Sequence, residues 1–228
     1  MHSEFSMLDG ISKISDLVAT AKEAGMDSLA ITDHGSMYGA VDFYSECKRV
    51  GVKPIIGCEV YVAHTSRFEK GPSERSPYHL VLLAQNHEGY QNLMYLVTKS
   101  HIEGFHYRPR IDKELLEERN AGLIALSGCP SAEIPRYILD GNLDKAEEVA
   151  LWYNRVFENR YFFELQRHEN VPGLEDINTA LIKMSETLNI PLVVTNDSHY
   201  THKEDNHLQD LYIAIQTNTT IHDEKRLR

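Results

Sequence analysis

Cysteine is scarce in this chain. Cys47, Cys58 and Cys129 are three in 228 residues, an odd and widely spread set that cannot form a disulfide framework, so a reducing compartment, the cytoplasm, is expected. Long apolar runs are absent as well. No stretch approaches the roughly 18 to 20 residues that cross a bilayer, and MHSEFSMLDG has neither a basic n-region nor an apolar h-region. No membrane partner is therefore expected. Positive charge is in short supply: 23 Lys and Arg face 34 Asp and Glu, a net −11, so the surface as a whole repels a polyanion. Any nucleic acid must then be held by local basic residues, by metal ions, or by another part of a larger protein. The glycine signatures of nucleotide binding are missing too, since no G-x-G-x-x-G follows a strand and no G-x-x-x-x-G-K-[ST] occurs.

What is present is an ordinary globular composition, 42% hydrophobic and 25% charged, without the bias that would keep a chain unfolded. The length suits one domain over 1–228. Short β-rich runs alternate with amphipathic segments, the pattern of βα units around a parallel sheet. Strands are expected at Ser28–Thr32, Lys53–Val62, Leu80–Ala84, Leu123–Ser127, Tyr161–Leu165 and Leu192–Thr195. Helices are expected at Ile14–Ala24, Tyr38–Val50, Glu88–Ile102, Ala132–Leu139, Leu143–Phe157, Leu174–Leu188 and Lys203–Gln216, with Gly25 and Gly51 just past two helix ends. Without nucleotide-binding glycines, a closed α/β barrel is favoured over an open doubly wound sheet. His64 to Pro77 reads as a surface loop.

In parallel α/β folds, functional groups gather at the carboxyl ends of strands. PLVVTNDSHY runs from an apolar strand into Asp197 and His199, an i, i+2 pair that extended backbone would aim to one side. SLAITDHG ends in Asp33 and His34, IIGCEVYV sets Glu59 inside an apolar run, and LIALSGCP leads to Cys129. Taken singly, an Asp-His after a strand is more often a turn or a cap, and Asp33 could cap the helix that follows. A lone cysteine is usually a small hydrophobe. A carboxylate inside an apolar strand is costly unless paired or metal-bound. Jointly, the four strand regions point to a metal centre, and carboxylate, imidazole and thiolate together suit zinc, manganese or iron.

HSEFSMLDG, SLAITDHGSMYG, KPIIGCEVYV, YHLVLLAQN, GLIALSGCPSAEIPR and PLVVTNDSHY resemble the polymerase-and-histidinol-phosphatase (PHP) domain that opens the bacterial DNA polymerase III alpha subunit. The resemblance continues through LQDLYIAIQTNTTIHDEKRLR, which is similar to the segment before the palm. It implies a distorted (β/α)7 barrel binding two to three divalent metal ions, in a family where some members hydrolyse DNA 3′ ends. It further implies metal ligands at His2, Asp9, His34, Glu59, His79, Cys129, Asp197 and His199. Glu59 would bridge two ions, His2 and Asp197 serving one and His79 and Cys129 the other, with Asp9, His34 and His199 on a third. His79 precedes its apolar run, so only the resemblance singles it out. The family's first motif is His-x-His, of which His2 is the second histidine; its partner would lie one residue before Met1. The start is thus expected to be truncated, with the first barrel strand absent.

The expected activity is a metal-dependent phosphoesterase, a 3′ to 5′ proofreading exonuclease with Glu59 and Asp197 catalytic. Expected partners are a DNA 3′ end and the remainder of a polymerase subunit. Arg108, Arg110, Arg167 and His168 are candidate contacts for DNA phosphates. Two alternatives stand beside this: a structural domain that stabilises the polymerase and docks a separate proofreading exonuclease, or a small-molecule phosphatase such as a histidinol-phosphate phosphatase. No polymerase activity is expected from this chain. His64, His87, His101, His202, His207 and His222 are expected to be solvated.

Overall fold

The computed structural model describes residues 1–7, 9–168 and 171–223. The chain forms two compact units, Met1–Cys58 with Ser198–Arg228, and Glu59–Asp197. The first unit opens with a tight loop in which Ser3 bridges Ser12, followed by helix α1 (Ile14–Glu23), strand β1 (Ser28–Ile31) and helix α2 (Ala40–Val50). Helix α1 buries Ile14, Leu17, Val18 and Ala21, one face of a 3.6-residue period. Val18 meets Ile31, Phe43, Cys47 and Val52 in a core that Phe5 and Leu29 flank. Burying Phe43 completely contributes about 1.5–3 kcal/mol. Gly51 ends α2 at φ 76°, a left-handed turn that a Cβ would strain. Strand β2 (Lys53–Val62) starts in this unit, where it pairs in parallel with β1 from Ser28↔Lys53 to Ile31↔Ile56. Helix α8 (Asn206–Thr217) completes it, preceded by a 3-10 turn at Lys203–Asp205.

The second unit begins inside β2, whose last six residues are all buried. It continues through β3 (Tyr78–Ala84), α3 (His87–Ile102), β4 (Phe105–His106), β5 (Arg108–Ile111), α4 (Lys113–Arg119) and β6 (Leu123–Leu126). Then follow α5 (Glu133–Leu139), α6 (Leu143–Phe157), β7 (Tyr161–Gln166), α7 (Leu174–Leu188) and β8 (Leu192–Thr195). The strand order is β4-β5-β2-β3-β6-β7-β8. β2 with β5, β6 with β7 and β7 with β8 are parallel. β3 runs antiparallel to β6, Val81 opposite Leu126, where an all-parallel sheet was expected. Between β3 and β6 the chain reverses at the antiparallel β4–β5 hairpin, which the sequence pattern does not announce. Leu80, Leu82, Leu93, Leu96, Phe157 and Phe163 fill this core.

The 64–77 segment is a surface loop pinned from beneath by charge. Arg67 reaches Asp112 at 2.9 Å and Glu103 at 2.8 Å, and Glu74 accepts from the backbone N–H groups of His64 and Thr65 at 3.1 Å each. Arg110 is wholly buried. It donates to Glu74 at 2.8 Å and to the carbonyls of Gly104, Arg67 and Glu69 at 3.0, 3.0 and 2.8 Å. Arg110 is therefore half of a buried ion pair and not the phosphate contact expected of it, because its guanidinium has no exposed surface. Among the described residues, no helix is long and apolar enough to cross a membrane.

Candidate metal centre

In the first unit, β1 ends at Ile31 and hands the chain to Thr32, Asp33 and His34. Asp33 does not cap α2, whose N-cap is Gly39. Its buried carboxylate instead accepts from Ser3, the backbone N–H at 2.6 Å and the hydroxyl at 2.8 Å, and so fixes the segment that carries His2. The loop is tight enough to need glycine at position 10, where a Cβ would lie 2.4 Å from the Ser3 carbonyl oxygen. Ser6 and Gln209 hold the loop from either side: the Ser6 hydroxyl accepts the His34 N–H at 3.2 Å, and the Gln209 amide donates to the Asp9 carbonyl.

These constraints gather four metal-type donors. His34 Nε2 is 3.0 Å and His199 Nε2 3.2 Å from the same Asp9 oxygen. The fully buried His2 ring stacks at 4.3 Å on both His34 and His199. One ligand atom from each of His2, Asp9, His34 and His199 lies within 4.8 Å of the others. Burial works to raise the Asp9 carboxyl, but hydrogen bonds from His199 and His34 outweigh it and hold the group well below the usual carboxylate range. A tetrahedral cation with ~2.0–2.2 Å bonds spaces its nitrogen and oxygen ligands roughly 3.3–3.6 Å apart, so the spacings of 3.0 and 3.2 Å need only small adjustment.

A second donor set lies in the Glu59–Asp197 unit. Glu59 is 3% exposed, and its Oε1 is 2.7 Å from His79 Nδ1. His79 belongs to β3, one residue into the strand, and its backbone bridges Ala132 across the turn after β6. That packing is close: a Cβ on Gly128 would meet Ala132 at 2.9 Å, and Gly128 itself turns left-handed at φ 81°. The turn delivers Cys129, whose Sγ is 3.5 Å from His79 Nδ1 and 3.7 Å from Glu59 Oε1. A zinc-like cation with ~2.3 Å sulfur and ~2.0 Å nitrogen bonds would space sulfur and nitrogen by about 3.5 Å. An Asp197 oxygen lies within 4.8 Å of Glu59. Burial, then the negative charge of Glu59 and Asp197, push the Cys129 thiol well above its ordinary value. A site that so disfavours a thiolate is one that a divalent cation would reverse, and the oxygen, nitrogen and sulfur donors fit such an ion.

Asp197 and His199 do not stand as the same-side pair that extended backbone would give. The strand stops at Thr195, and Asp197 adopts φ 47°, a left-handed turn that Asp tolerates better than most residues. Asp197 thus joins the Glu59 set and His199 the Asp9 set.

Sequence reasoning passed over Glu164. It is buried in β7 and accepts from the Gly128 N–H at 3.1 Å, from Gln166 at 3.1 Å and from the Thr195 hydroxyl. Burial raises its carboxyl, with Thr195 and Gln166 opposing. The signal was available, since Glu164 interrupts the apolar run YFFELQ much as Glu59 interrupts its own. Arg167 and His168 are exposed just past β7, and Arg108 is exposed on β5. His87, His101, His202, His207 and His222 are exposed as expected, whereas His64 is half-buried, with Nε2 2.9 Å from the Ser76 carbonyl oxygen.

The family model described as PHP domain matches residues 1–168. Over its whole length the chain is 46% identical to the DNA polymerase III subunit alpha of Borreliella burgdorferi and 44% identical to that of Thermus aquaticus. It spans about a fifth of the length of these curated relatives, 20% and 19%. Among solved structures, a two-domain protein from Bacteroides vulgatus containing a predicted PHP-like metal-dependent phosphoesterase aligns with TM-score 0.55 at 15% identity, covering 96% of this chain and 54% of that one. An amidohydrolase from Chromobacterium violaceum aligns with the same TM-score and identity, covering 90% of this chain and 87% of the other.

Proposed function

Because the chain belongs to the PHP domain family, we propose that it is the PHP domain of a bacterial replicative polymerase alpha subunit, working in the cytoplasm as a metal-dependent phosphodiesterase that shortens DNA from the 3′ end. The observation that carries this reading is the gathering of ligand-type side chains within each unit, His2 with Asp9, His34 and His199 in one, and Glu59 with His79, Cys129 and Asp197 in the other. His2, Asp9, His34 and His199 would hold one cation, and Glu59, His79, Cys129 and Asp197 would hold another, zinc, manganese or iron by their mixed chemistry. Bound there, divalent cations supply Lewis acidity and make a water nucleophilic at neutral pH.

The protein's own part is to hold these donors still. His79 orients the Glu59 carboxylate, and Glu164 steadies the Cys129 turn through the Gly128 N–H. Arg108, Arg167 and His168 would meet phosphates of the strand. The curated relatives support the polymerase setting, and the phosphoesterase-like neighbour supports hydrolysis on this fold.

The test is metal analysis of the purified chain together with degradation of a labelled primer annealed to a template. Bound transition metal is expected, with 3′ shortening that a chelator removes and Glu59→Gln abolishes. Faster cleavage of a simple phosphate monoester than of DNA would favour the small-molecule phosphatase. Bound metal without cleavage of either would favour a domain that stabilises the polymerase and docks a separate proofreading exonuclease.

A further inference from the structure

From His79 outward, rings and guanidinium groups succeed one another to the tip of the β4–β5 hairpin. The Tyr61 ring stands edge-on to His79 at 5.2 Å, and the Arg108 guanidinium lies over Tyr61 at 5.7 Å. Tyr107, at the tip, is 62% exposed and holds the Arg75 guanidinium over its ring at 5.1 Å. Arg75 and Arg108 are both exposed, and among the described residues neither is in an ion pair. On a chain of net charge −11, two uncompensated arginines resting on aromatic rings run against the general character of the surface.

The backbone at this tip is also held in an unfavourable state. Tyr107 has φ 62°, a left-handed conformation that disfavours a bulky side chain and that persists only where the surroundings enforce it. The surroundings do so. His106 pairs with Arg108 across the hairpin, Gly104 lets the Arg110 carbonyl oxygen approach to where a Cβ would be 1.8 Å away, and the buried Arg110–Glu74 pair ties the hairpin to the loop that carries Arg75. A rigid foundation thus presents an exposed ring that gains little from burial.

We propose that Arg75, Tyr107 and Arg108 form a landing for single-stranded DNA, Tyr107 stacking on an unpaired base while the two arginines take neighbouring phosphates, with the Tyr61 ring between Arg108 and His79. Aromatic faces between guanidinium groups suit single strands, whose bases offer a free face, and not a duplex, whose bases are already stacked. The inference rests on the reading of those donors as a phosphodiesterase site and adds the form of its substrate.

The experiment is fluorescence anisotropy of a labelled, hydrolysis-resistant phosphorothioate oligothymidylate, alone and as a duplex with oligoadenylate, titrated with the chain over a range of salt. The single strand is expected to bind more tightly than the duplex. Tyr107→Asn removes the ring while accepting the left-handed backbone, so it should fold at least as well, keep its metal content, and bind about fivefold or more weakly. Tyr107→Phe should bind as the parent does. Arg75→Ala and Arg108→Ala should each flatten the slope of log K against log salt by about 0.7. Unchanged binding by Tyr107→Asn, or a preference for duplex, overturns the landing. Binding that needs Tyr107 in a chain that cleaves no DNA with any metal leaves the landing standing and removes the phosphodiesterase reading instead.

Discussion

Replacing Glu74 by alanine isolates what the buried ion pair contributes. Arg110 is 0% and Glu74 2% exposed, with 2.8 Å between them. An arginine cannot escape by losing its proton, so Glu74→Ala leaves a full positive charge inside the unit with only the carbonyls of Gly104, Arg67 and Glu69 around it. Breaking a buried pair in this way costs about 3–5 kcal/mol. Glu74 also accepts from the Thr65 hydroxyl and from the N–H groups of His64 and Thr65; these donors are only partly buried, so water regains them and the figure needs little increase. For a chain of this size the melting temperature should fall by roughly 6 to 20 °C. Urea unfolding should show a lower midpoint with an unchanged slope. Glu74→Gln, which keeps an acceptor but no charge, should lose less. A loss below about 1 kcal/mol, the size of an exposed pair, would mean that water reaches Arg110 and would refute the argument.

Asp33→Ala should cost about 1–3 kcal/mol by stranding the Ser3 N–H and hydroxyl, and hydrogen exchange at the Ser3 amide should accelerate; unchanged protection there would show that something else anchors the segment. Gly10→Ala drives a Cβ to 2.4 Å from the Ser3 oxygen and should destabilise by about 1–3 kcal/mol in chemical denaturation, so a neutral result would mean the loop yields freely. Burial, reinforced by Glu46, pushes the Cys47 thiol up to about 11, so thiolate is scarce at every pH below that value. Iodoacetamide should label Cys47 slowly at pH 8 in the folded chain and completely once urea unfolds it, and rapid labelling of the folded chain would contradict the packing.

How far the sequence speaks depends on the length of each element. Strand β2 is read from Lys53 to Val62 and observed with those bounds, because ten residues rich in β-branched and apolar side chains leave no other choice. The β4–β5 hairpin goes unread, since two and four residues are too few for a period and Pro109 argues against a strand. Helix α4 is missed for its seven highly charged residues, although Asp112 does cap it by accepting the Leu115 N–H at 3.2 Å. Candidate ligands at strand ends are legible because a polar residue after an apolar run is conspicuous. His79 is not, because it stands at the start of β3 and reaches Glu59 only through a neighbouring strand. Arg110 shows the opposite failure: HYRPR looks like a phosphate contact, and only burial separates it from Arg108 two residues earlier.

The unit that holds His2 and Asp9 is assembled from both ends of the chain, residues 1–58 and 198–228, with a hydrogen bond joining positions 200 apart in sequence. On a ribosome, at roughly 5–20 residues per second, its early half waits on the order of 10 to 30 s for its late half to be made. Over that interval Val18, Phe43 and their neighbours can pack locally, but His199 and Gln209 do not yet exist. The intervening unit is one continuous stretch, so its packing can proceed as it is made. Asp197 and His199, the last members of the two donor sets, follow each other within two residues, so both sets are completed almost together, the histidine-rich one by joining residues 2, 9 and 34 to a partner made more than 160 positions later.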